Sequence, residues 1–237
     1  MQHASLRISR PWWTYAGRLL IVIVGLFIFA VGDVLTYRAN VGLGPWDVLH
    51  QGISFHTPLS FGTAGIVVGA VLIVLSLFIK VYPGIATLLN MSLIGIFINW
   101  LLWLNWLPDL ARQSWLLRLP LDVFGVFLVG LGCAIYIAPH LGAGPRDGLM
   151  LRLNALTGVR IAIMRAALEC AVLLIGFLLG GSVGIGTLIF AFGIGPSIEI
   201  GFWLLNRLMT MLGLPPVTVQ RPSVQKQASD RVPLHQE

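Results

Sequence analysis

Moved along by 100 residues, this 237-residue chain falls on itself without a gap. Val41-Gly-Leu-Gly-Pro-Trp-Asp-Val-Leu49 lands on Leu141-Gly-Ala-Gly-Pro-Arg-Asp-Gly-Leu149, and Gly84-Ile-Ala-Thr-Leu88 lands on Gly184-Ile-Gly-Thr-Leu188. Gly25, Gly32 and Gly95 meet Gly125, Gly132 and Gly195, and Trp103 meets Trp203. From Arg18 to Leu104, 20 of 87 pairs are identical. Leucine matching leucine is cheap in an apolar chain, but Gly-x-Gly-Pro-x-Asp-x-Leu recurring at one fixed offset is not. The chain is a duplication, so any fold it adopts must be one that the unit can adopt twice.

That unit is hydrophobic. Apolar residues make up 57% of the chain and charged ones 10%, too little polar surface to clothe a soluble core of this size. Each copy offers three apolar windows near the roughly 20 residues that a bilayer crossing takes. The first runs from Leu19 to Leu35 (Leu121 to Ala138 in the second copy), the next over 60–79 (161–180) and the last over 84–105 (184–205). A turn and a short segment, 40–57 and 140–157, sit between the first two. The expected fold is all-α: a polytopic transmembrane helical bundle of two inverted three-helix repeats, each with a short re-entrant or interfacial helix. Repeat 1 covers 15–107 and repeat 2 covers 115–207, between a cytoplasmic N-terminal tail, 1–14, and a cytoplasmic tail, 213–237. The latter is rich in Pro, Gln and Ser and is expected to be disordered. Arg7, Arg10 and Arg18 before an apolar stretch imitate a secretory signal. The run continues past the length of such a signal, however, and belongs to a repeat, so no cleavage is expected.

Inversion follows from the odd number of spans, and the positive-inside rule tests it. With the N-terminus in the cytoplasm, the inner side collects Arg7, Arg10, Arg18, Lys80, Arg146, Arg152, Arg160 and Arg207 and the basic residues of the tail, while the outer side holds Arg38, Arg112 and Arg118. A bacterial inner-membrane protein with six spans and both termini inside fits that bias. The alternative makes 45–57 a true crossing, with eight spans and parallel copies; that segment is short and polar for facing lipid. The formal charge of +6 is thus a matter of topology, and no basic stripe with interleaved aromatics suggests nucleic acid.

Within the Gly-x-Gly-Pro-x-Asp element, Gly42, Gly44 and Pro45 mark a sharp turn into a short helix, with Pro at its first position. Asp47 falls in the first turn, where a carboxylate suits the helix dipole. Gly144, Pro145 and Asp147 repeat the arrangement. The element can serve as nothing more than a turn, a helix start and a dipole partner. The functional reading adds that Asp47, His50, Gln51 and Ser54 share one face of the short helix, opposite Trp46, Leu49, Ile53 and His56. Short helices at matching places in inverted halves point to a transport site. Gly44, Asp47, His50, Gly144, Arg146 and Asp147 are therefore candidate ligand-binding residues, with Asn154 a further donor.

A second group comprises ionisable residues inside apolar windows, where charge is costly and usually faces the bundle interior. These are Asp33, Arg165, Glu169 and Glu199, with Asn90 and Asn99 similar in type. Arg165 and Glu169 are four apart and can simply pair on one helix face. Glu199 follows Gly195-Pro196-Ser197, where the last span is expected to kink. It either reaches Arg165 across the bundle or stays neutral in apolar surroundings. Arg165, Glu169 and Glu199 complete the candidate binding set. Gly65-Ile-Val-Val-Gly69 and the spacing of Gly176, Gly180 and Gly184 read as faces for close helix packing, or alternatively as a dimer face. Cys133 and Cys170 lie in apolar windows without metal-ligand or disulfide spacing. No metal or cofactor is expected.

The doubled Gly-x-Gly-Pro-x-Asp element after the first span of each half, together with Pro83-Gly-x-x-Thr-Leu88, resembles the YczE/YyaS/YitT group of bacterial membrane proteins. The resemblance extends over about 15–207, and Gly42-Leu-Gly-Pro-Trp-Asp47 is its most specific string. It implies an integral membrane protein and no particular activity. The six-helix, glycine-rich layout also resembles substrate-binding subunits of vitamin transporters in architecture alone, and architecture does not carry function.

Two functions fit. One is a small-solute transporter or substrate-binding membrane subunit. The other is a non-transporting partner that stabilises or regulates another membrane protein, or pairs with a second copy. An enzyme is not expected, since GxSxG, HExxH, paired histidines on a span and a phosphate loop are all missing. The space between 44–54 and 144–154 separates the two: a polar cavity lined by both copies favours transport, a dry packed centre the partner.

Overall fold

The computed structural model describes residues 12–142, 144–146, 149–150, 156–211 and 213. Seven helices lie wholly within the described residues: α1 Trp12–Ala39, α2 Pro45–His56, α3 Phe61–Phe78, α4 Ile85–Leu104, α5 Trp115–Ile137, α6 Ile161–Leu178 and α7 Ile185–Met211. Among the described residues there is no strand. Helices α1, α3, α4, α5 and α7 are each long and apolar enough to cross a membrane. Many of their large apolar side chains turn outward, as a lipid-facing surface requires. Of the tails read as cytoplasmic from sequence, all but 12–14, which belong to α1, and Gly213 lie outside the described residues, as do Asp147 and Asn154.

The centre is α1 crossed on α5. A Cβ added at Gly25 would meet the backbone of Gly132 and Tyr136, and one added at Gly132 would meet Gly25 and Phe29. Gly32 and Gly125 stand against each other in the same way. Small residues let the two backbones approach closely enough for dispersion contacts to hold them, where no hydrophobic effect drives helices together. These pairs exchange with one another under the 100-residue shift. So do the turns: Gly42 lies against Gly184, and Gly142 against Gly84. Gly186 N–H donates to Val41 O at 2.9 Å and Ala86 N–H to Leu141 O at 3.2 Å; Thr187 Oγ1 accepts from Gly184 N–H, and Thr87 Oγ1 from Gly84 N–H, at 3.2 Å each. Both turns reverse through the left-handed region, at Asn40 (φ 51°) and His140 (φ 56°), then at Gly42 (φ 118°) and Gly142 (φ 137°). The last two are glycines in both copies because a side chain would be strained there and would strike the facing turn.

Outside the centre the copies diverge. α4 packs on α1 and α7 on α5, as the repeat demands, but α3 packs on α4 whereas α6 leans on α2. Gly62 and Gly95 touch backbone to backbone at the α3–α4 contact, and Asn99 joins it by accepting from Gly62 N–H (3.0 Å) and Ser60 Oγ (2.8 Å) and donating to Thr63 Oγ1 (3.0 Å). Their counterparts differ: Gly195 meets nothing within 4 Å among the described residues, and position 199 is Glu. In exchange, Gly176 and Gly181 press on the backbone of Val48 and Leu49, and Gly52 on Gly176 and Leu179, so α2 is clamped to the end of α6. The glycine faces at Gly65, Gly69, Gly176 and Gly184 are thus all used within the chain.

Candidate functional site

Helix α2 begins as its sequence dictates. Gly44 is the N-cap in an extended conformation, Pro45 follows at the first helical position and Asp47 stands in the first turn. The helix is buried along most of its length, through Pro45, Trp46, Asp47, Val48, Gln51 and Gly52. Its apolar side enters the core beside Ala30, Val34, Leu43 and Phe61. Its polar side divides between two tasks. Gln51 Oε1 accepts from Ser182 N–H at 2.6 Å, which fixes the helix to the turn before α7. Asp47 and His50 turn the other way, with His50 Nδ1 3.4 Å from Asp47 Oδ1.

Asp47 and His50 face a cavity of about 100 Å3. That is ample for several waters or a small solute. Gly44, Asp47 and His50 line it from the first copy, and Gly144, Pro145 and Arg146 from the second. The chain is helical at Pro145–Arg146, again directly after the Gly-Pro step. Asp33 reaches the same cavity from the middle of α1 and Asn90 from α4. Phe29, Trp46, Phe61, Tyr136 and Phe190 supply aromatic wall. Gly65 and Gly69 of α3 leave room: a Cβ at Gly65 would stand 3.3 Å from His50 Nδ1.

Asp33 is only 3% exposed, and its Oδ1 makes no hydrogen bond among the described residues. It lies close enough to Asp47 and Arg146 to interact electrostatically with both. A buried carboxylate in a membrane helix is expensive, and one left with an unsatisfied oxygen more so. Asp122 on α5 is buried as well, with neither carboxylate oxygen hydrogen-bonded among the described residues, and it is not among the residues that line the cavity.

Gly44, Asp47, His50, Gly144 and Arg146 thus come together, while Asp147 lies outside the described residues. Arg165, Glu169 and Glu199 are elsewhere. Arg165 Nε and Glu169 Oε1 pair at 2.9 Å on a partly exposed face of α6, so neither needs an interior partner. Glu199 is exposed. α7 turns Ile194, Ser197 and Gly201 inward, the last two against Gly130 and Ala134 of α5, and a residue two positions beyond Ser197 points to roughly the opposite side of the helix. α7 also continues through Pro196 as one helix. Asp33 and Asn90, polar residues of apolar windows outside the candidate set, also line the cavity, as does an aromatic wall that no motif in the sequence marks.

A second cavity, of about 200 Å3, adjoins the first across Gly144 and Pro145 and is bounded by Ser76, Val81, Pro83 and Thr87. Ser76 and Val81 are the counterparts of Gly176 and Gly181, the residues that let α2 close down on α6. The glycines that close α2 onto the end of α6 are thus replaced, at the corresponding end of α3, by Ser76 and Val81, which border this cavity.

Residues 16–201 match the model of a family of unknown function, DUF6198. An uncharacterized protein of Haemophilus influenzae is 34% identical over 197 residues, which cover 83% of this chain and 88% of that one. The uncharacterized membrane protein YczE of Bacillus subtilis is 34% identical over 204 residues, 81% of this chain and 93% of its own length. The uncharacterized protein YyaS of the same organism is 28% identical over 191 residues, 80% and 90% respectively. No solved structure matches the chain.

Proposed function

The chain belongs to the YczE/YyaS-like family of bacterial membrane proteins, and from that premise we propose that it is a small-solute transporter or substrate-binding membrane subunit whose site is the cavity between its two copies. We read it as six spans in the inner membrane, α6 being the sixth, with both termini in the cytoplasm and the copies inverted. The exchange of Gly25–Gly132 with Gly32–Gly125, and of Gly42–Gly184 with Gly84–Gly142, supports the inversion, because such contacts arise when two like units face each other across a two-fold axis.

One observation carries the functional reading: the Gly-Pro turns of both copies, with Asp47, His50 and Arg146, line one polar-edged cavity at the level of the helices. A protein that only braced another would gain nothing from charges held around a space at its own centre, where they cost stability. Short helices aimed at a shared centre from opposite halves are the arrangement that solute sites in inverted-repeat transporters use. The role ascribed to the chain is binding and passage, without covalent change to the solute. A thermal-unfolding screen of the purified protein against vitamins, amino acids, sugars, amines and ions tests it. A ligand held in the cavity raises the midpoint by mass action; no shift across all those classes moves the protein to the bracing role.

A further inference from the structure

We propose that the cavity takes a small organic ammonium ion, its N–H groups bonded to the Asp33 carboxylate and its carbon body against the aromatic wall. This rests on the solute-site reading above and names the class of solute. Asp33 lines the cavity, is almost fully buried and has an oxygen without a donor among the described residues. Buried acceptors are nearly always satisfied, and a donor brought into the cavity that Asp33 lines would serve its carboxylate. Charge narrows the choice. Among the described residues two carboxylates, Asp33 and Asp47, line the space with one guanidinium, Arg146. The helix N-terminus at Gly44–Pro45 would by itself attract an anion, but Asp47 already occupies its first turn.

The walls complete the selection. Phe29, Trp46, Phe61, Tyr136 and Phe190 line the same cavity, and aromatic rings attract cations at their faces while burying an alkyl body. A bare metal ion finds no such welcome: among the described residues no group of three His, Cys, Asp or Glu side chains gathers to ligate one. A free carboxylate would set its charge against Asp33 and Asp47 together.

The test uses the full-length protein in detergent and three probes of equal carbon length: n-butylammonium, n-butanol and butyrate, titrated at constant ionic strength near neutral pH. The unfolding midpoint rises saturably with n-butylammonium and not with the other two, and Asp33→Asn weakens the ammonium response at least tenfold. A butyrate or butanol response equal to or above that of the amine overturns the charge assignment and leaves the solute-site reading standing. So does an Asp33→Asn protein that binds the amine as the wild type does. No response to any probe also overturns the ammonium assignment, while the wider metabolite screen alone decides the solute-site reading. If Asp33→Asn does not fold, the comparison of the three probes on the wild type still decides.

Discussion

Asp33 and Arg146 come from different copies of the repeat and face one cavity, near enough to interact electrostatically. Their positions do not correspond under the 100-residue shift: Asp33 answers to Cys133, and Arg146 to Trp46. The backbone is close to symmetric at its centre, and the chemistry at that centre is not. Among the described lining residues the carboxylates, Asp33 and Asp47, come from the first unit and the guanidinium, Arg146, from the second.

Removing the guanidinium isolates its effect. Arg146→Gln takes one like charge away from an incoming cation, an effect on the order of 1 kcal/mol for partly screened charges, or about fivefold in affinity. The dissociation constant for n-butylammonium should fall accordingly in a calorimetric or thermal-shift titration. A weaker response would mean that Arg146 holds the solute rather than repelling it.

The clamp on α2 is testable by adding a single methyl. At Gly176 a Cβ would stand 2.5 Å from Leu49 N and 2.6 Å from Val48 C, backbone that cannot step aside. Gly176→Ala should cost about 1–3 kcal/mol of stability, as overpacking does. Gly17→Ala is the control, since an added Cβ there meets nothing within 4 Å, and it should be neutral or slightly stabilising. Equal unfolding midpoints for the two variants would refute the docking of α2 on α6.

Gly65→Ala acts differently. Its Cβ would lie 3.3 Å from His50 Nδ1, a contact relieved by a small turn of the ring. Stability should change by less than about 1 kcal/mol, while binding of whatever raises the wild-type midpoint weakens several-fold, because the methyl narrows the cavity beside Asp47 and His50. Binding unaffected by the methyl would place the solute away from this wall.

Arg118 ties the two copies together at the end of α1. Its Nε donates to Ala39 O at 2.8 Å and its Nη2 to Asn40 O, while the guanidinium stands 4.8 Å from the Trp115 ring. These bonds satisfy carbonyls that the end of a helix leaves open and set a cation at its negative pole. Arg118→Met keeps the stem and removes the donors, so the unfolding free energy should fall by about 1.5–3 kcal/mol. Arg118→Lys should recover only part of this, since an ammonium lacks the planar fork that presents Nε and Nη2 to the two carbonyls together.

How much of this was legible in the sequence varied with the kind of signal. The helices were, within a few residues at most ends, because apolar runs bounded by Gly and Pro leave a membrane chain few choices. The start of α2 was legible in detail, since Gly44, Pro45 and Asp47 each have one good use at a helix start. Facing was not. α1 is apolar nearly all round, so nothing in its pattern says that Asp33 points to the centre, or that Phe29 on the neighbouring turn does. The rule that an intramembrane charge faces inward does not by itself pick out the cavity: Arg165 and Glu169 pair on their own helix, and Glu199 follows Ser197, which with Gly201 takes the inner face. Small residues at a crossing decide facing more strongly than a lone charge does.

The central claim is that the space between the copies is a solute site open to water. Asn90 lines it without belonging to either short helix, and replacing it with Cys leaves the charges untouched. In a chain with Cys133 and Cys170 changed to Ala, a cysteine at position 90 is treated in intact cells and in inverted vesicles with a small, membrane-impermeant thiosulfonate. The account predicts modification from at least one side, slowed by the solute that raises the unfolding midpoint. A cysteine inert from both sides, or labelled at a rate no solute changes, would contradict it.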